Sequence, residues 1–102
     1  MFDDLYNQPK TSYYASDDTS FVAGDSPATL DIKTSLGRLA NNGYINCDGA
    51  GDILVSVSSD GANYGSNIRL KSGDEFSLKA LSVSKIKITH SGTDSSYRVY
   101  CE

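Results

Sequence analysis

From Ala28 onward, apolar and polar residues alternate with a period of two, a pattern that buries a single face only when the chain is a β-strand. Ala28, Leu30 and Ile32 alternate with Thr29, Asp31 and Lys33, and Ile53, Val55 and Val57 with Leu54, Ser56 and Ser58. Ile68 and Leu70 oppose Arg69 and Lys71; Ile86 and Ile88 oppose Lys85, Lys87 and Thr89. In the last segment Tyr97, Val99 and Cys101 share one face, and Arg98 and Tyr100 the other. Leu54 adds an apolar residue to the second face of its strand, which predicts a central place in a sheet. Turn residues separate these runs at Asp48 to Asp52, Ser59 to Asn63, Ser72 to Asp74 and Ser91 to Asp94. Asn42-Gly43 is the strongest two-residue hairpin signal in the chain. Thr34 to Asn41 fits either an irregular strand or a single helical turn. Six to seven strands at roughly ten-residue spacing predict an all-β fold, an antiparallel β-sandwich or jelly-roll-like barrel.

Residues 1 to 27 break this pattern. They contain five aromatics, Phe2, Tyr6, Tyr13, Tyr14 and Phe21, without regular alternation, and end at Ser26-Pro27, which forces extended geometry. The expectation is an extended, acidic, tyrosine-containing arm over 1–27 joined to a sandwich domain over 28–102. Six acids face one base from Met1 to Asp31, whereas seven acids face eight bases from Ile32 onward. A negative arm is repelled by phosphates, so nucleic acid is not its expected partner, and a protein surface rich in Lys and Arg is. Phe2, Tyr6, Tyr13, Tyr14 and Phe21 are the expected anchors, with Asp3, Asp4, Asp17 and Asp18 setting register and on-rate. Outward Arg69, Lys71, Lys79, Lys85, Lys87 and Arg98 suggest a basic face that receives the arm of another copy. On this reading, deleting residues 1 to 27 leaves a folded monomer.

The residue types that carry catalysis do not converge in the sequence. His90 is the single histidine, and without a second ligand or base partner it suggests neither metal nor acid–base chemistry. Cys47 and Cys101 both fall on inward positions and are expected as buried free thiols in a protein made in a cytoplasm. Asp48, Asp52 and Asp60 lie in glycine-rich loops, yet no twelve-residue calcium loop surrounds them, so they read as turn formers. Gly49-Ala50-Gly51 lacks the helix and Lys-Ser/Thr of a phosphate loop. The expectation is a protein without enzymatic activity, cofactor or metal. The longest aliphatic run, Ile53 to Val55, is far too short to span a membrane, and the Met1-Phe2-Asp3-Asp4 start does not resemble a secretion signal.

The pattern Val55-Ser56-Val57-Ser58-Ser59-Asp60-Gly61, then Ile68-Arg69-Leu70-Lys71-Ser72-Gly73-Asp74-Glu75-Phe76, then Lys85-Ile86-Lys87-Ile88 and Tyr97-Arg98-Val99 resembles the small β-sandwich structural proteins of tailed bacteriophage virions. These include head decoration proteins and accessory head or tail components. The resemblance spans Val55 to Val99. It implies a multi-copy virion protein, made in the host cytoplasm, whose partners are the major capsid protein or other virion proteins. The Ser59-Asp60-Gly61-Ala62-Asn63-Tyr64 turn also looks like that of discoidin-type and other carbohydrate-binding modules, which implies Tyr64 as an alternative glycan contact. The chain has no Trp to accompany it.

Overall fold

In the computed structural model, which describes residues 13–21, 26–91 and 94–102, the strands pair from the two ends of the chain toward its middle. The elements are β1 (Tyr14–Phe21), β2 (Ala28–Asp31), a short helix α1 (Ile32–Leu36), β3 (Gly43–Cys47), β4 (Ile53–Ser58), β5 (Ile68–Leu70), β6 (Glu75–Ser77), β7 (Lys85–His90) and β8 (Ser95–Cys101). β1 pairs with β8, β2 with β7, β3 with β6 and β4 with β5, all antiparallel. Two further pairings, β3 with β8 and β4 with β7, join these into two four-stranded sheets, ordered β1-β8-β3-β6 and β2-β7-β4-β5. This is one long antiparallel hairpin rolled around a core, the eight-strand jelly roll. Of the connections between strands, β4 to β5 alone stays within a sheet; each of the others crosses the sandwich.

The core lies between the sheets. Ile45, Cys47, Tyr97, Val99 and Cys101 supply it from the first sheet, and Ile53, Val55, Leu70, Ile86 and Ile88 from the second. Each such side chain taken fully out of water contributes about 1.5–3 kcal/mol, most of it offset by the lost entropy of the ordered chain. β4 is an inner strand of its sheet, as Leu54 suggests. The inward assignment of Tyr97, Val99 and Cys101 and the outward assignment of Arg98 and Tyr100 also agree with the structure.

The N-terminal division differs from the expectation. Tyr14–Phe21 is the edge strand of the first sheet, so the sandwich begins well before residue 28. Asp18 lies opposite Tyr97 but Phe21 lies opposite Ser95, so one extra residue is inserted between them. That bulge, held by the Ser20 amide donating to Asp18 Oδ1 at 2.9 Å, returns Phe21 to the inner face. There Phe21 is 2% exposed and meets Tyr97 and His90 edge-to-face, with ring centroids 5.3 and 5.1 Å away. An isolated look at residues 1–27 misses this because Tyr14, Ser16 and Asp18 on the inner side are not an apolar row. Residues 1–12 lie outside the described residues, and with them Phe2, Asp3, Asp4 and Tyr6.

Other elements also depart from the reading. Eight strands replace six to seven, because β1 was assigned to the arm. The first predicted strand stops at Asp31, whose carboxylate caps α1 by accepting from the Thr34 amide and hydroxyl at 3.2 and 2.8 Å. Ile32 and Leu36, four apart, are the buried side of that helical turn, and Gly37 ends it in left-handed geometry with φ 79°. Asn42-Gly43 makes no hairpin. Gly43 is instead the first residue of β3, with φ 145°, and a Cβ there would run into the Tyr100 carbonyl oxygen of β8. Leu81, beyond β6, is 38% exposed.

Candidate functional site

The outer face of the first sheet carries two rows of side chains set by strand register. One row runs Ala15 on β1, Tyr100 on β8, Tyr44 on β3 and Ser77 on β6. The next runs Asp17, Arg98, Asn46 and Glu75 across the same strands. Tyr100 stacks on Tyr44, centroids 5.7 Å apart and planes at 22°, and on Tyr13, 5.8 Å apart at 26°. The three rings form a ladder with Tyr100 of β8 in the middle, Tyr44 of β3 on one side and Tyr13, just before β1, on the other. Each such pair is worth about 0.5–1.5 kcal/mol beyond its burial, and none of the three rings contributes to the core between the sheets.

Hydrogen bonds fix the ladder. The Tyr100 hydroxyl donates to Glu102 Oε1 at 2.8 Å, and Asn42 Nδ2 donates to Glu102 Oε2 at 3.0 Å. The bond from Tyr100 and then that from Asn42 hold the Glu102 carboxyl below the usual carboxylate range, and the same Tyr100–Glu102 bond raises the phenol. Beside the rings, Ala15, Asp17, Tyr44, Arg98 and Tyr100 line an open groove of about 240 Å³. Arg98 is drawn to Asp48, with Nε 2.6 Å from Oδ2 and Nη2 3.3 Å from Oδ1. Asp17 therefore has no ion pair among the described residues. Asn46 Oδ1, in the same row, is buried and accepts no hydrogen bond from any described residue.

The three anchors among the described residues, Tyr13, Tyr14 and Phe21, do not share one surface. Tyr13 is 54% exposed and belongs to the ladder, Tyr14 is half-buried on the inner side, and Phe21 is buried in the core, where no partner can reach it. Asp17 stands on the outer face, whereas Asp18 is half-buried and holds the bulge. The basic residues split between the two sides of the molecule. Arg98 lies on the first sheet, while Arg69, Lys85 and Lys87 lie on the outer face of the second, with Lys71 just past β5. Arg69 is also paired, Nη1 3.0 Å from Asp52 Oδ2. The single basic face expected from alternation is thus reduced to Lys71, Lys85 and Lys87. Lys87 Nζ sits 4.6 Å from the centre of the Tyr64 ring, so that ring is occupied by a cation on one face.

The remaining candidates have structural work. Asp60 accepts from Ser58 Oγ, the amides of Ala62 and Asn63, and Asn63 Nδ2, all within 3.0 Å, which drives its carboxyl strongly down and closes the loop after β4. Asp48 and Asp52, at the two ends of the loop that crosses between the sheets, each pair with an arginine of the sheet they adjoin. Cys47 lies opposite Tyr97 and Cys101 opposite Gly43 on neighbouring strands, an offset of roughly 13 Å along the strand that no disulfide spans. Cys47 Sγ donates to the Gly51 carbonyl at 3.2 Å. Among the described residues no three His, Cys, Asp or Glu side chains converge, and no helix is long and apolar enough to cross a membrane.

Tyr100 reads as outward from its strand phase, but the ladder it makes with Tyr44 and Tyr13 is not visible in the sequence. Those residues come from three distant parts of the chain, and only the β1-β8-β3 order brings them side by side. Comparison with protein-family models, curated proteins and solved structures finds no match to this chain.

Proposed function

We propose that this protein acts by binding rather than by catalysis, as a multi-copy structural protein of a virion, with the tyrosine face of the first sheet as a contact surface. A capsid decoration protein is the form that the resemblance of Val55 to Val99 favours, with a head-tail or tail accessory role as the variant setting. The observation that carries the reading is the ladder of Tyr13, Tyr100 and Tyr44, aromatic area held rigidly on an outer sheet face beside an unpaired carboxylate. Rigid Tyr area loses little entropy on contact and is typical of protein interfaces. The jelly roll supports the class by analogy alone, since capsid proteins and lectins both use it. Residues 1–12, with Phe2 and Tyr6, extend the contact as a clamp onto the major capsid protein or another virion protein.

The glycan alternative has less support. A sugar ring stacks on a free aromatic face, but Tyr64 carries Lys87 on one face and Tyr100 has a tyrosine on each side. Added to empty shells from its own source, the protein is expected to bind in many copies and raise their melting temperature. A Tyr44→Ser, Tyr100→Ser double variant is expected to fold, because neither ring enters the core, and to bind at least about tenfold more weakly. Absence of shell binding together with saturable glycan binding that depends on Tyr64 would replace this reading with the carbohydrate one.

A further inference from the structure

The two outer faces of the sandwich carry opposite unpaired charge, and their geometry specifies what each can meet. On the first sheet Arg98 is consumed by Asp48, which leaves Asp17 and Glu75 exposed in one row, with Glu102 at the end of the ladder. On the second sheet Arg69 is consumed by Asp52, and Asp31, which caps α1, lies opposite Lys85 on the same face and offsets one lysine charge, leaving that face with an excess of positive charge. Lys71, Lys85 and Lys87 remain, and none of them has an ion pair with a described carboxylate. Internal pairing therefore leaves one face acidic and aromatic and the opposite face basic.

We infer that the tyrosine face of one copy docks on the lysine face of the next, so that copies join head to tail through unlike surfaces. This deepens the multi-copy reading above but does not depend on the shell. Two copies meeting tyrosine face to tyrosine face would set Asp17 and Glu75 against themselves, which disfavours a two-fold pair. A lysine face brings ammonium groups to the unpaired Asp17 and to the ring edges and faces of the ladder, where cation–π attraction adds to the ion pair. Because the two surfaces differ, the contact does not close on itself in a dimer, and it propagates into a ring or an array. The lysine face is narrower than its four strands, because Ser56 and Ser58 on the outer side of β4 are buried, and it is small against the roughly 800 Å² per partner of a stable interface. Each contact is consequently weak alone and effective when many copies are held close together.

Charge exchange tests this without any other component. In Asp17→Lys, Glu75→Lys each exchange adds two positive charges, which takes the formal net charge from −4 to zero. General repulsion would then fall and association would rise. Face pairing predicts the reverse: by sedimentation equilibrium the wild-type full chain is expected to gain weight-average mass as its concentration rises toward the millimolar range, and this variant is expected not to. Lys71→Glu, Lys85→Glu is expected to lose association as well. Mixing the two variants restores opposite charge at both kinds of contact, and the mixture is expected to associate at least as strongly as wild type. Circular dichroism and thermal melts verify that each variant folds. A wild-type protein that stays monomeric throughout overturns the inference, and so does a mixture that fails to associate. Shell binding that persists in either case leaves the proposed function standing, whereas self-association without shell binding leaves this contact standing and removes its setting.

Discussion

Phe21 shows how a single side chain decides where a fold begins. Its ring closes one end of the sandwich against Tyr97 of the first sheet and His90 of the second, so it couples the two sheets as well as filling space. Replacing a buried Phe with Ala typically costs 3–5 kcal/mol, the transfer free energy plus a cavity that the neighbours cannot fill. Phe21→Ala is expected to show a loss of about that size in urea unfolding with the m-value retained. A loss below about 1 kcal/mol would mean that β1 is not an integral strand. The contrast with Tyr13 is instructive, since both are aromatics of one polar segment and nothing in their local sequence separates them. The one-residue bulge at Asp18 to Phe21 does, by changing which side of the strand the later residue faces.

At the scale of elements, the same bulge moves the boundary of the domain. Deleting residues 1–27 removes β1 and uncovers the β8 edge and the Phe21 site, so the truncated chain is expected to lose cooperative unfolding rather than remain a folded monomer. Deleting residues 1–12 keeps β1 whole and is expected to leave the melting temperature within about 2–4 °C of the full chain while weakening shell binding. Equal stability of both truncations would refute the placement of β1. β7 and β8 were legible because each alternates and buries one side, whereas β4 buries Ser56 and Ser58 on its second face as well as Ile53 and Val55 on its first. α1 was legible only in part, as one of the two readings of Thr34 to Asn41; its start was not, because Ile32 continues the phase of β2 and only the Asp31 cap and the Ser84 carbonyl, which accepts from the amides of Ile32 and Lys33, turn the chain into a helix. Asn42-Gly43 misled for a related reason: the glycine serves a close approach to Tyr100 across two strands, and a hairpin signal cannot tell that from a turn.

At the scale of the whole molecule, the inner faces hold groups that must stay neutral. Burial pushes the Cys101 thiol from an ordinary 9.0 up to about 12 and raises the phenols of Tyr14 and Tyr97 above their ordinary 10.0. Above pH 9 the unfolded chain releases protons that the folded chain retains, so the unfolded state binds fewer protons and stability falls as pH rises. The melting temperature is therefore expected to drop progressively from pH 9 toward pH 12, and Cys101→Ser is expected to flatten the lower part of that slope. The buried thiols are also expected to react with an alkylating reagent only after unfolding. A melting temperature constant across that range would contradict the packing of Cys101 between the sheets.

The alternation of apolar and polar residues determined by itself that most of this chain is strand, which side of β7 and β8 is buried, and that Tyr100 faces out. Those are properties of neighbours along the chain, and a period of two records them directly. Tertiary structure alone decided that β1 joins β8, that the strands roll into a jelly roll, and that Tyr13, Tyr100 and Tyr44 form one ladder while Arg98 and Lys87 stand on opposite faces. Pairing between strands far apart in sequence leaves no local trace, because it depends on which exposed edges remain once every strand has buried its apolar side.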